Sequence, residues 1–358
     1  MSPEARIEAV RAAAEGAGVE ALLVTNLTNV RYLTGFSGTN GQLLVSRGGA
    51  VFFTDPRYAA RAAELVRGAE VSIYSSRLAD VLIERLASDA VSRLGIEAQT
   101  MTVAARDDLA GRLEGIELVS TSGIVEEHRR AKDESEVAAM REAAAIADDA
   151  FGWILERLAP GRTEKEVALD LEMRVRTHGA DDISFPPIVG SGALSAHIHH
   201  TPSDRALTPG DLVLLDFGAR VRGYCSDLTR TVILGPAPEE QRELYARLLE
   251  AQAAGIAAIE AGASAATVDR AARALIEAAG DGDDFGHGLG HGVGLDIHEA
   301  PRLRWDSQDT LGAGDVVTVE PGVYRVGWGG IRIEDCVLVT ESGCEVVTAA
   351  PKKELIEL

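Results

Sequence analysis

Acidic side chains recur at hairpin spacing in two stretches of the second half of the sequence. Asp216 and Asp227 each belong to a β-rich run, and a short turn separates the two runs. Glu320 and Glu334 are arranged in the same way on either side of a glycine-rich turn at residues 327–330. Both stretches therefore predict antiparallel hairpins that carry a pair of carboxylates.

The predicted strand pairing brings the acids of each hairpin together. A first hairpin folded between Val221 and Arg222 sets its two aspartates opposite one another, and a second folded about Gly327 does the same for its two glutamates. Directly opposed strand residues have Cβ atoms roughly 4.5–5.5 Å apart. Two like charges about 5 Å apart repel by roughly 3 kcal/mol at an effective dielectric near 20, and apolar surroundings add a desolvation cost. A shared proton or a cation is therefore expected at each pair.

A glycine-rich run between the hairpins supplies imidazoles. His287 and His291 lie in the segment Gly286–Gly294, which holds five glycines. Glycine disfavours a helix, so the run is predicted to be a loop or strand where backbone passes close to a metal and a substrate. Four carboxylates with an imidazole suit a pair of divalent cations.

The motifs resemble those of a known family. The strings LLDFGARVRGYCSDLTRT, HGLGHGVGLDIHE, VVTVEPGVY and GGIRIED, in this order, are similar to those of the pita-bread metallopeptidases of the creatinase/methionine aminopeptidase type. Within that group they are most similar to the Xaa-Pro dipeptidases and Xaa-Pro aminopeptidases. The resemblance implies an α/β creatinase-like N-terminal domain, expected over residues 1–126. It also implies an α+β pita-bread catalytic domain, expected over 127–358, with pseudo-twofold halves and a curved antiparallel sheet.

The resemblance also implies a set of metal ligands. By the family pattern, two divalent metal ions would be held by Asp216, Asp227, His291, Glu320 and Glu334. Manganese is the expected metal because the ligands are rich in oxygen and because the family commonly uses it, with cobalt or zinc as alternatives.

Further site residues are expected on the same basis. His287 would line the substrate pocket, and His298 would hydrogen-bond the substrate or intermediate. Arg302 would grip the free C-terminal carboxylate of a dipeptide. Glu320 would also take the proton of the attacking water. Arg332 shares the strand face of Glu334, so it is expected to neutralise spare carboxylate charge and hold ligand geometry.

One catalytic histidine has two candidate positions. Residues 197–200 read His-Ile-His-His, and the flanking segments pair His199 with the family's catalytic and substrate-binding histidine. A slip of two residues would make it His197 instead.

The activity implied is hydrolysis of the bond before proline in short peptides, as in an Xaa-Pro dipeptidase. The alternatives are an Xaa-Pro aminopeptidase that acts on longer peptides and a pseudo-peptidase that only binds peptides. Methionine aminopeptidase normally lacks such an N-terminal domain, and creatinase lacks the ligand set.

Composition limits which binding partners and which cellular compartment are expected. The net charge of −21 disfavours nucleic acid as a partner. No stretch reaches about 18 apolar residues, so no membrane span is expected. The three cysteines, Cys225, Cys336 and Cys344, are an odd and sparse set that indicates a cytoplasmic protein without a disulfide framework.

The elements that must position these residues also follow a pattern. Helices are predicted over about 134–158 and 164–178 before the first hairpin, and over about 238–261 and 264–279 before the second. This order indicates an internal duplication whose halves meet at one metal centre.

The N-terminal third alternates strands and helices, as an α/β layer does. No G-x-G-x-x-G follows its first strand, so a dinucleotide site is not expected. Asn29–Gly38 is predicted to be a loop. The resemblance implies that this loop approaches an active site, often that of the partner in a homodimer.

Overall fold

The computed structural model describes residues 1–358, which divide into two compact units, Met1–Arg129 and Arg130–Leu358. None of the helices is both long enough and apolar enough to cross a lipid bilayer.

The first unit is built on a six-stranded mixed sheet. Its strands are β1 (Ala21–Val24), β2 (Gln42–Ser46), β3 (Gly49–Thr54), β4 (Glu70–Ile73), β5 (Arg93–Glu97) and β6 (Glu117–Thr121). They lie in the order β4-β3-β2-β1-β5-β6, with β1–β2 and β2–β3 antiparallel and the other pairs parallel. The helices are α1 (Pro3–Gly16), α2 (Leu27–Thr34), α3 (Ala59–Leu65), α4 (Leu78–Ser88), α5 (Val103–Ala110) and α6 (Glu126–Arg130), the last of which ends at the first residue of the second unit. The α/β expectation for this part of the chain is confirmed.

One element of the first unit was predicted wrongly. Most of the expected loop over Asn29–Gly38 is helix α2, which ends at Thr34 and has Gly35 as its C-cap. The Asn26 side chain caps this helix by accepting a hydrogen bond from the Thr28 N–H. The Glu97 carboxylate accepts the Asn26 N–H at 2.7 Å, which favours the same helix N-terminus. The glycines and aromatic residues of the segment obscured these local signals.

The second unit holds four long helices. They are α7 (Glu134–Leu155), α8 (Glu164–Thr177), α9 (Glu239–Ala257) and α10 (Ala265–Ala278). Asp133 and Thr163 begin α7 and α8 with capping boxes, in which the carboxylates of Glu136 and Glu166 accept a hydrogen bond from the backbone N–H of the cap residue. The two predicted helix pairs are therefore confirmed, each a few residues shorter at its C-terminal ends.

Fourteen short strands form the sheets of this unit, and nearly all pairings are antiparallel. They are β7 (Asp182–Ile183), β8 (Ile188–Ser191), β9 (Leu212–Phe217), β10 (Ala219–Val221), β11 (Tyr224–Cys225), β12 (Leu228–Ile233), β13 (Gly290–Gly292), β14 (Glu299–Leu303), β15 (Val316–Val319), β16 (Gly322–Arg325), β17 (Gly329–Arg332), β18 (Asp335–Thr340), β19 (Gly343–Val346) and β20 (Ile356–Glu357). The larger sheets run β20-β12-β9-β8 and β14-β13-β15-β18-β19, and only β12–β20 is parallel.

Each helix pair packs on its own hairpin, as the duplication predicts. Val213, Leu215 and Phe217 of β9 share a buried core with α7 and α8. Val317 and Val319 of β15 share another with α9 and α10. Because successive strand side chains point to opposite faces, the residues between these apolar positions face away from the helices. The predicted pairs, Asp216 with Asp227 and Glu320 with Glu334, are therefore presented on the face opposite the helices.

The first hairpin differs from the prediction by one residue. Val221 pairs with Tyr224, so the turn is Arg222–Gly223 and Asp216 lies opposite Thr229 rather than Asp227. Arg222 and Gly223 have φ angles of 49° and 91°, which match a type I′ turn. The sequence prediction overlooked this turn because arginine seldom adopts a positive φ. Asp227 is two residues before Thr229, so the two aspartates still share a face as diagonal neighbours.

The second hairpin has the predicted register. Val319 pairs with Asp335 on one side, and Gly322 pairs with Arg332 on the other. The same register, continued through the residues between β15 and β16 and between β17 and β18, sets Glu320 opposite Glu334.

The turn of the first hairpin leads to a stability test. Arg222→Asn should stabilise the protein by up to about 1 kcal/mol, because a left-handed backbone costs most L-residues roughly 1–2 kcal/mol and asparagine tolerates it. The substitution also removes a surface ion pair with Glu142, worth about 0–1 kcal/mol. Urea denaturation measures the difference, with Glu142→Gln as the control for the ion pair alone. Lower stability for Arg222→Asn than for Glu142→Gln would contradict the turn argument.

Candidate metal centre and substrate cleft

His291 is held by close backbone packing on both sides. Its neighbours Gly290 and Gly292 belong to β13, which pairs with β14 and β15. A Cβ at Gly290 would lie 1.9 Å from the Thr318 carbonyl oxygen, and one at Gly292 would lie 2.3 Å from that of Ala300. Only glycine permits this approach, so the flanking glycines fix where the imidazole lies.

The His291 ring faces carboxylates with its unprotonated nitrogen. Nδ1 lies 3.0 Å from the Gly292 carbonyl oxygen, which can only accept, so Nδ1 carries the hydrogen. Nε2 lies 3.6 Å from Asp227 Oδ2 and 3.5 Å from Glu320 Oε1. Burial lowers the pKa of His291, which favours the neutral ring. Three acceptors thus face one another, an arrangement that a cation would stabilise.

The carboxylates around this imidazole are buried and incompletely hydrogen-bonded. Asp216, Asp227 and Glu334 are buried, and the Oδ1 atoms of both aspartates have no hydrogen-bond partner. One ligand atom each from Asp227, His291 and Glu334 lie within 4.8 Å of one another. Buried acceptors without donors are costly, so these oxygens are suited to a metal ion.

The acids affect one another's protonation. Burial, followed by repulsion from the other carboxylates, raises the pKa of Asp227 and of Glu334 well above their ordinary values. Burial also raises the pKa of Asp216 and of Glu320. Divalent cations would stabilise the charged forms, and four carboxylates with one imidazole are a donor set that such cations accept. The residues present therefore fit a metal centre.

Arg332 and Thr229 connect the two hairpins at the site. The buried Arg332 guanidinium donates to Asp216 Oδ2 from the other hairpin, and its Nε donates to Thr229 Oγ1 at 3.1 Å. Thr229 Oγ1 in turn donates to Glu334 Oε2 at 2.5 Å. Each hairpin thus orients an acid of the other.

His287 is oriented by a chain of hydrogen bonds that begins at the same arginine. Arg332 Nη1 donates to the Tyr324 hydroxyl at 3.0 Å, and that hydroxyl lies 2.9 Å from His287 Nε2. His287 Nδ1 lies 2.8 Å from the Gly288 carbonyl oxygen, so the hydroxyl donates to Nε2 of the neutral ring. Burial raises the pKa of Tyr324 to about 12 and lowers the pKa of His287. Both groups are therefore neutral near pH 7.

Sequence reasoning assigned no role to Thr229 or Tyr324, although both stand within the quoted motifs. A signal was available, because Thr229 is two residues from Asp227 and Tyr324 is four residues from Glu320, so strand alternation puts each on the face that carries the acids. Neither a threonine nor a tyrosine in a strand is unusual by itself, so only the spatial neighbours reveal the contacts.

All ten predicted site residues line one cavity of about 530 Å³. They are His199, Asp216, Asp227, His287, His291, His298, Arg302, Glu320, Arg332 and Glu334. The cavity wall also includes Phe185, Pro186, Ile188, Ile198 and Ile297. An acidic centre beside an apolar wall suits a substrate with one polar bond and one compact apolar ring.

Arg302 lies beside the centre with its charge uncompensated. It pairs directly with His291 across β13 and β14, so the two side chains share a strand face. Its backbone N–H donates to Asp309, but its exposed guanidinium makes no hydrogen bond or ion pair within the chain. The neighbouring Arg304 differs, because it pairs with Asp306 at 2.9 Å. Arg302 is thus available to an anionic group in the cavity.

Of the two candidate histidines, His199 lines the cavity and His197 does not. The segment that carries them is anchored at both ends by the buried Glu164 carboxylate. Its Oε1 accepts the Ser191 N–H at 2.8 Å, and its Oε2 lies 2.9 Å from His200 Nε2. His298 also lines the cavity, with its ring centroid 4.4 Å from that of His291.

Comparison with known proteins identifies the protein family. Residues 138–341 match metallopeptidase family M24, and residues 6–131 match the creatinase/prolidase N-terminal domain. The chain therefore belongs to metallopeptidase family M24, which confirms the expected family and the expected two-domain, pita-bread architecture.

Individual relatives cover nearly the whole chain. The uncharacterized peptidase YqhT of Bacillus subtilis (strain 168) is 42% identical over 95% of this chain and 96% of its own length. The solved Xaa-Pro dipeptidase from Bacillus anthracis is 41% identical, with a TM-score of 0.97 over 100% of both chains. The X-Pro aminopeptidase from Thermotoga maritima MSB8 is 32% identical, with a TM-score of 0.90 over 97% of this chain and 100% of that one.

The packing around His291 can be tested at its flanking glycine. Gly290→Ala should destabilise the protein by about 1–3 kcal/mol, because the new Cβ meets a backbone carbonyl that cannot move aside cheaply. It should also weaken Mn²⁺ binding, measured by calorimetric titration, because β13 carries the imidazole. Gly286→Ala is the matched control, since a Cβ there meets nothing within 4 Å. Equal behaviour of the two variants would contradict the proposed packing constraint.

Proposed function

We propose that this protein is an Xaa-Pro dipeptidase that uses two divalent metal ions to hydrolyse the peptide bond before proline in short peptides. The similarity to the Bacillus anthracis Xaa-Pro dipeptidase over both full chains supports the reaction class. The observation that carries the dipeptide preference is Arg302, whose unpaired guanidinium lies on the strand face of His291. A free C-terminal carboxylate one residue beyond the scissile bond is the group that such an arginine would bind.

The proposed metal ligands are Asp216, Asp227, His291, Glu320 and Glu334. Their support is the shared burial, the acceptor-only contacts and the raised carboxylate pKa values described above. When bound, two divalent cations would supply Lewis acidity that acidifies water and polarises a carbonyl group. Manganese is proposed as the native metal because four of the five ligands offer oxygen.

The chain's own residues would carry the proton and the substrate. The water oxygen would add to the carbonyl carbon before proline, and a Glu320 carboxylate oxygen would accept a proton from that water. The same proton would pass to the proline nitrogen, which has no hydrogen of its own and must be protonated to leave. A new carboxyl group and a free proline amine are then the two products.

Imidazoles and apolar side chains would orient the reacting bond. His199 or His298, which both line the cavity, would donate a hydrogen bond to the developing oxyanion. The proline ring would pack against the apolar wall that includes Phe185 and Ile198. Arg332 would hold Asp216 through the hydrogen bond between the hairpins.

The domain limits, the assembly and the compartment are also part of the proposal. We propose residues 127–358 as the catalytic domain and residues 1–126 as an accessory domain. By resemblance we also propose a homodimer in the cytoplasm. The free thiols Cys225, Cys336 and Cys344 are compatible with that compartment. An Xaa-Pro aminopeptidase is the second candidate activity, favoured by the likeness to the Thermotoga maritima enzyme.

Substrate length separates the two activities. Xaa-Pro dipeptides should be cleaved with a higher kcat/KM than Xaa-Pro-Yaa tripeptides, because only the dipeptide places its carboxylate next to Arg302. Activity should depend on added Mn²⁺ after chelation. A preference for tripeptides and longer chains would favour the aminopeptidase, and binding without any hydrolysis would favour a pseudo-peptidase.

The role of Arg302 has its own test. Arg302→Ala should raise KM for Xaa-Pro by about 10- to 100-fold, since hydrogen bonds between charged groups contribute about 1.5–3 kcal/mol. Xaa-Pro-amide, which lacks the carboxylate, should be affected far less. Arg304→Ala is the matched control, because Arg304 lines the same cavity but its guanidinium already pairs with Asp306. An equal KM increase for the acid and the amide would remove Arg302 from carboxylate recognition.

A further inference from the structure

A proline interrupts the second hairpin next to its acidic residues. Pro321 follows Glu320 in the gap between β15 and β16, and the register sets Pro321 opposite Ile333. The Ile333 N–H donates to the Pro321 carbonyl oxygen at 3.3 Å. The return bond of an antiparallel pair would need an N–H on Pro321, which proline lacks. The Ile333 carbonyl oxygen therefore has no ladder partner.

A buried side-chain amide takes the place of that missing donor. Gln252 on α9 is fully buried, and its Nε2 donates to the Ile333 carbonyl oxygen at 3.2 Å. The same Nε2 donates to the Val319 carbonyl oxygen at 3.0 Å. Val319 directly precedes Glu320, and Ile333 directly precedes Glu334. One amide thus fixes the backbone immediately before each glutamate, from the face of the sheet that packs on the helices.

Charged neighbours set the orientation of this amide. Asp335 Oδ2 lies 3.0 Å from the same Nε2, so the two N–H groups of the amide are shared among three acceptors, and Gln252 Oε1 accepts from Lys352 Nζ at 2.6 Å. A flipped amide would direct its NH₂ group at the ammonium and its oxygen at the carboxylate, so the observed orientation is strongly preferred. Arg230 completes the cluster, because it pairs with Asp335 and donates to the Glu334 carbonyl oxygen.

We propose that Gln252 is a positioning residue for the two glutamates of the metal centre, with Lys352 orienting its amide. This inference rests on the proposed function, because it takes Glu320 and Glu334 as metal ligands. Two carboxylates opposite one another repel, and a hairpin without a complete ladder would let them separate when no cation is present. The amide opposes that separation, so the ligands are already near one another before a metal binds.

The test measures metal binding apart from turnover. Metal-free protein is titrated with Mn²⁺ alone by calorimetry, and its melting temperature is measured in a chelator and in excess Mn²⁺. Gln252→Met should weaken Mn²⁺ binding by about 10- to 100-fold, the range typical of residues that support metal ligands. Lys352→Met keeps the amide donors and should weaken binding in the same direction by a smaller factor. Excess Mn²⁺ should restore cleavage of Xaa-Pro with an unchanged KM, because Gln252 does not line the substrate cavity.

Gln241→Met is the matched control, since Gln241 lies on the same helix roughly 16 Å away along its axis. It should bind Mn²⁺ as the unsubstituted protein does. Unchanged Mn²⁺ affinity in both Gln252→Met and Lys352→Met, even with a lower melting temperature in chelator, would overturn the inference and leave the proposed function intact. If Gln252→Met fails to fold, Lys352→Met decides the question by its affinity. Failure of the unsubstituted protein to bind Mn²⁺ would instead overturn the proposed function itself.

Discussion

Repulsion among buried carboxylates is the constraint on which the second unit depends. Asp216, Asp227, Glu320 and Glu334 share one cavity, and burial raises the pKa of each. Repulsion from neighbouring carboxylates raises the pKa of Asp227, Glu320 and Glu334 further. Such a cluster persists only where the surrounding backbone and side chains hold it in place and where cations can offset its charge. The glycines beside His291 and the arginine beside Asp216 are two parts of that support.

The two halves support the centre reciprocally. Arg332 belongs to the second hairpin but holds an aspartate of the first, while Thr229 belongs to the first but holds Glu334 of the second. Neither half would complete the site alone, which gives a physical reason for two similar halves to remain associated. The opposite faces of both hairpins carry the apolar residues that bind each one to its helix pair. The acids of the cavity and the apolar residues of the core therefore alternate along the same strands.

Two arginines that line the cavity, Arg302 and Arg332, differ in whether their guanidinium groups are hydrogen-bonded within the chain. Arg302 stays uncompensated within the chain, whereas the buried Arg332 has its donors satisfied by Asp216, Thr229 and Tyr324. A satisfied arginine shapes the site, and an unsatisfied exposed one can bind a ligand. This contrast between two arginines in one cavity is the reason that the proposed function assigns carboxylate recognition to Arg302 and a structural role to Arg332.

The four long helices and the two hairpins were predictable from the sequence, because hydrophobic periodicity, capping residues and the spacing of acids are local properties of a chain. The ten cavity residues were identified through the resemblance of their motifs to a known family. The turn at Arg222–Gly223 and the helix over Leu27–Thr34 were not predicted, since a positive φ at arginine and a cap supported by the distant Glu97 depend on context beyond the local pattern. Which of His197 and His199 lines the cavity, the contacts of Thr229 and Tyr324, and the amide contacts of Gln252 were visible only in the tertiary structure. The sequence alone thus determined which residue types alternate along each strand, whereas the folded chain decided which of them meet, because those contacts join residues far apart in the chain.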